Sequence, residues 1–71
     1  MKFLLEIEIP DDDFLRDDNR DVVADGLTIV ARDLRYDKIY KRTLHAGRNA
    51  VIERLDGFSQ LERIGKWEAV A

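Results

Sequence analysis

The sequence predicts an α+β fold: a small sheet built from the N- and C-terminal strands, with one amphipathic helix, about residues 19–35, packed on one face. Three observations carry that prediction. Near the start, Leu5, Ile7 and Ile9 alternate with Glu6 and Glu8, which is the two-residue period of a half-buried strand. In the first half of the chain, Val23, Leu27, Val30, Ala31 and Leu34 recur at the three-and-four spacing of a helix. At the end, Trp67 and Ala69 fall on one side of an extended segment, and Lys66 and Glu68 on the other.

Each element has a local reason. In residues 2–9, Phe3 joins the apolar side, and Pro10 removes a backbone donor and ends the ladder. Asp11, Asp12 and Asp13 form a like-charge run suited to a solvated turn, after which Phe14 and Leu15 are expected beside the sheet. Asp18 or Asn19 can cap the helix by accepting from first-turn amides, and Asp21 suits the positive helix terminus. Gly26 lowers helix propensity by about 1 kcal/mol relative to alanine. Residues 36–57 are ambiguous. Tyr36, Ile39, Tyr40 and Leu44 are spaced for a helix but are also strand material. Residues 49–57 fit a short helix capped by Asn49 and closed by Gly57, or a strand entering an Asp56-Gly57 turn. The hairpin pairs Leu55 with Phe58 and sets Val51 against Glu62, so the short helix is the preferred reading. The last strand, within 60–70, is expected to pair with residues 2–9 and cover an edge of the first strand. The expected core is Phe3, Leu5, Ile7, Ile9, Val23, Leu27, Val30, Leu34, Ile52, Leu55, Phe58 and Trp67.

A chain of 71 residues is expected to form one domain, residues 1–71, with a marginal core. Its 45% hydrophobic content rules against a disordered chain, and the absence of cysteine removes disulfides and thiolate metal sites. Small domains without such staples often self-associate, which leaves a homodimer open. Glu6 and Glu8 interrupt the apolar start, so a signal peptide is not expected, and no stretch reaches the roughly 20 apolar residues of a membrane span. The cytoplasm is the expected compartment.

Charge is distributed unevenly. Residues 1–25 hold nine acids against three bases, and residues 26–71 hold nine bases against six acids. The acidic group Asp11, Asp12, Asp13, Asp17 and Asp18 lacks the glycine and the closing glutamate of a calcium loop, so no metal or cofactor is expected. It is read as a surface for a basic protein partner. His45 has no serine or cysteine near it in sequence to form a nucleophile–base pair, and so short a chain offers little room for a water-excluding cleft. A non-catalytic role is expected. The basic segment 32–54, with Arg35, Lys38, Lys41 and Arg42 interleaved with Tyr36 and Tyr40, offers a second reading as a nucleic-acid surface, because cations hold phosphates and aromatics stack on bases. On that reading Arg35, Lys38 and Arg42 share a helix face.

The strand at the start and the closing Ile64-Gly65-Lys66-Trp67-Glu68 give the chain a resemblance to small bacteriophage-encoded accessory proteins that end in a Gly-x-Trp-Glu strand. The resemblance covers about a quarter of the chain and brings no site residues with it. It implies an accessory protein acting in a host bacterial cytoplasm by binding a host factor.

Overall fold

Alternating apolar and charged residues need a surface that is dry on one side, and the chain supplies it by laying one helix over three strands. The computed structural model describes residues 1–9, 17–55 and 57–71, with side chains from residue 19 onward in the helix. Strand β1 (Lys2–Ile7) is followed by helix α1 (Asp17–Ile39) and strands β2 (Asn49–Leu55) and β3 (Leu61–Val70). The sheet order is β1-β3-β2, and both edge strands run antiparallel to β3. The α+β expectation therefore holds, including the pairing of the two chain ends.

Register assigns the faces. Phe3, Leu5 and Ile7 lie opposite Ala69, Trp67 and Gly65, while Ala50 and Ile52 lie opposite Trp67 and Gly65. These residues form the side under α1. Leu4, Glu6, Val51, Lys66 and Glu68 occupy the other side, which is mostly charged. Strict alternation would send Ile64 to that charged side. Instead the register slips between Ile52 and Glu53, leaving Ile64 as an extra residue, and this bulge brings it into the core. Val22, Val30, Ile52, Ile64 and Trp67 form the buried cluster, with Leu5, Ile7, Ile29, Leu34 and Ala50 packed against it.

Several expectations are corrected. The helix begins at Asp17, so Asp18 and Asn19 lie inside its first turn, and Asn19 is wholly buried there. The helix also runs on through Ile39. Its inward stripe is Asn19, Val22, Gly26, Ile29/Val30, Leu34 and Asp37, rotated from the expected one, so Leu27 is 51% exposed. Gly26 lies on this stripe against Ile7 of β1, where an added Cβ would come 2.6 Å from Ile7 Cδ1. Residues 49–55 are a strand and not a short helix. The mismatch foreseen for a tight hairpin does not arise, because Leu55 pairs with Leu61 across a longer loop and the bulge shifts Val51 opposite Lys66. Leu55 and Phe58 accordingly leave the core, Phe58 being 88% exposed at the hairpin tip. Phe3 is only partly covered, stacking on Trp67 at 5.2 Å between ring centroids.

Candidate binding surface at the end of the helix

Helix α1 ends in a left-handed turn that fixes where its last side chains point. The Arg42 amide donates to the Asp37 carbonyl at 2.8 Å and the Lys41 amide to the Lys38 carbonyl at 3.2 Å, the bond pair of a Schellman motif. Lys41 takes the position that glycine usually fills, with φ of 56°. The loop beyond returns to the sheet: Gly47, at φ 95°, donates to Ala69, whose own amide donates to Arg48.

Asp37 holds this corner together. It is 9% exposed, at the end of the inward stripe, and pairs with Arg48 at 2.6 Å and Arg42 at 3.7 Å. Arg48 also donates to the Thr43 carbonyl at 3.1 Å and lies 5.9 Å from the Trp67 ring centroid, within cation–π range. One guanidinium therefore connects the helix end, the loop and the central strand. Trp67 is 2% exposed, and its Nε1 has no hydrogen-bond partner among the described residues. An open groove of about 200 Å³ runs beside this network, lined by Asp33, Tyr36, Asp37, Arg48 and Trp67 among others.

Outside the network sits a pair of aromatic rings. Tyr36 and Tyr40 are 51% and 65% exposed and stack on each other, with centroids 6.4 Å apart and planes at 17°. The Arg42 guanidinium lies 5.7 Å from the Tyr40 centroid. Ile39 beside them is also exposed. Arg35, Lys38 and Lys41 are exposed as well, and no ion pair engages them among the described residues. Across residues 32–48 six bases face two acids, and one of those acids is the buried Asp37. Flat π-faces ringed by cations can hold planar rings and anionic groups.

The structure sorts the sequence candidates. Of the basic segment, Arg35, Lys38, Lys41 and Arg42 do gather at one end. Arg42, however, lies past the helix and is engaged by Asp37 and Tyr40, so the shared helix face reduces to Arg35 and Lys38. Arg32, Arg48 and Arg54 are paired with Asp33, Asp37, and Asp25 with Glu62, respectively. Asp11, Asp12 and Asp13 lie outside the described residues, as do the side chains of Asp17 and Asp18, which open α1. His45 is exposed, its Nδ1 2.9 Å from the Ala46 carbonyl oxygen. Among the described residues no cluster of three or more acid, histidine or cysteine side chains could hold a metal, and no helix is long and apolar enough to cross a membrane.

The Asp37–Arg48 link was missed in the sequence. Its signal was an acid lying on the apolar stripe seven residues after Val30, a position that calls for a buried cation. When the chain is compared with known proteins, no family model, no curated protein and no solved structure matches it.

Proposed function

We propose that this chain is a non-catalytic binding module that holds single-stranded nucleic acid at the C-terminal end of α1. The exposed Tyr36–Tyr40 stack, flanked by Arg35, Lys38 and Lys41, is the observation that carries the reading. Two parallel rings offer π-faces to unpaired bases, and three cations can track the phosphates. The acidic excess of the chain does not oppose this. At about 1.5 Å per residue Asp17, Asp18 and Asp21 stand roughly 22–28 Å along α1 from Tyr36, about three Debye lengths at physiological salt.

Fluorescence anisotropy with a labelled single-stranded oligothymidylate tests it. Binding is expected at low salt, with a log–log salt slope of roughly −2 if three cations each neutralise a phosphate at about −0.7. Replacing Tyr36 and Tyr40 together with alanine should weaken binding at least tenfold, since stacking contributes about 1–3 kcal/mol per base. The helix should survive, because both rings are more than half exposed. No binding at 50 μM protein, or binding indifferent to the tyrosines, would refute the reading.

The acidic end supports a second reading. Asp17, Asp18, Asp21 and Asp25 stand in the first turns of α1, adjoining in sequence the Asp11-Asp12-Asp13 run, and such a concentration suits a basic protein partner in the host cytoplasm. Changing Asp11, Asp12 and Asp13 to asparagine should abolish that association and leave oligonucleotide binding intact.

A further inference from the structure

We propose that two copies of this chain pair through the outer edge of β1, antiparallel and with Leu4 on the two-fold axis, to make a continuous six-stranded sheet. Among the described residues nothing pairs with that edge, since β1 is terminal in the sheet order β1-β3-β2. Its backbone groups are correctly disposed. The Glu8 amide donates to the Ile64 carbonyl at 2.7 Å, so even-numbered residues of β1 point toward β3. Ala69, opposite Phe3, makes its bonds to Arg48 and Gly47 on the β2 side, which agrees. Antiparallel bonding alternates, so Phe3, Leu5 and Ile7 aim their amides and carbonyls at the open edge.

The side chains then select both partner and register. Centred on Leu4, the pairing sets Phe3 opposite Leu5 of the second copy in a bonded pair, twice by symmetry. It also sets Lys2 opposite Glu6 on the outer face, again twice, and Leu4 against Leu4 in the closer, non-bonded position. Every opposed pair is apolar with apolar or cation with anion. Moving the axis to Leu5 sets Leu4 against Glu6, and moving it to Glu6 sets two glutamates face to face. Within one copy, Glu6 pairs among the described residues with Lys66 at 3.9 Å and is 72% exposed, so it retains capacity for a second cation. Phe3, Leu4 and Met1 are the exposed apolar groups that the contact would cover, at the end of the sheet away from where Gly26 of α1 meets Ile7. One strand pair buries less than a standard interface, so a weak dimer of about 10–100 μM is expected.

Sedimentation equilibrium of the full chain from about 1 to 500 μM tests the proposal, with circular dichroism confirming the fold of each variant. Wild type should show a reversible monomer–dimer equilibrium. Lys2→Glu alone and Glu6→Lys alone should each weaken it at least tenfold by opposing like charges. An equimolar mixture of the two variants should form a heterodimer, and the double variant K2E/E6K should regain the wild-type equilibrium. A monomer throughout, a dimer insensitive to the single changes, or a double variant that is not restored would each overturn the assignment.

Discussion

Arg48→Met removes the charge of the corner guanidinium and keeps an aliphatic stem over Trp67. Asp37 would then be left with Arg42 alone at 3.7 Å, a weak replacement for a 2.6 Å contact. Breaking a fully buried pair by removing one partner costs about 3–5 kcal/mol. Here the Asp37 side chain is 12% exposed and that of Arg48 is 22% exposed, and Arg42 persists, so the cost falls to about 2–3 kcal/mol. A 71-residue domain has roughly 4–10 kcal/mol in all, so the loss is a large fraction and should lower Tm by about 10–20 °C. Asp37→Asn should cost less, about 1–2 kcal/mol, because the guanidinium left behind on Arg48 is more exposed, at 22%, and keeps its bond to the Thr43 carbonyl. The double variant should be no worse than Arg48→Met alone, giving a coupling of about 1–2 kcal/mol. Urea unfolding read by fluorescence suits the measurement, since Trp67 is the sole tryptophan, is 2% exposed and lies beneath the altered residue. A single-variant loss under about 0.5 kcal/mol, or a coupling within error of zero, would refute the argument that this pair secures the helix end.

Two further outcomes follow from backbone geometry. Lys41→Gly should stabilise the fold by about 1 kcal/mol in the same urea assay, because a lysine at φ 56° carries the Cβ penalty of the left-handed region, which glycine lacks. Gly65→Ala should cost about 3 kcal/mol or more, seen as loss of the cooperative transition or a sharply lowered urea midpoint. A Cβ there would collide with the Glu6 carbonyl and the Ile7 backbone of β1, and backbone cannot step aside as a side chain can.

The legible parts of the chain were those whose information is local. Residues 5–9 and 66–69 alternate because each strand has one dry face, and no other part of the protein is needed to read that. The existence of α1 was legible for the same reason, from its spacing. Its rotation was not, because Gly26 counts as a defect within an isolated helix and takes its place on the inward stripe only when Ile7 lies against it. The aromatic–cationic surface was partly visible, since Tyr36, Tyr40, Lys38 and Arg42 lie close together in sequence. Which cations stay unpaired was not visible, because Asp37 chooses Arg48 across a loop.

Sequence alone thus determined two strands, one helix and the opposition of acidic and basic ends, all of which depend on neighbours within a few positions. Tertiary structure decided the rest. The bulge at Ile64 reconciled β2 with β3 by adding one residue to one strand, a choice no periodicity records. Burial of Trp67 under Arg48, and of Asp37 beside it, depended on bringing residues 37, 48 and 67 to one corner. That corner holds the end of α1 in place and leaves Tyr36 and Tyr40 facing outward.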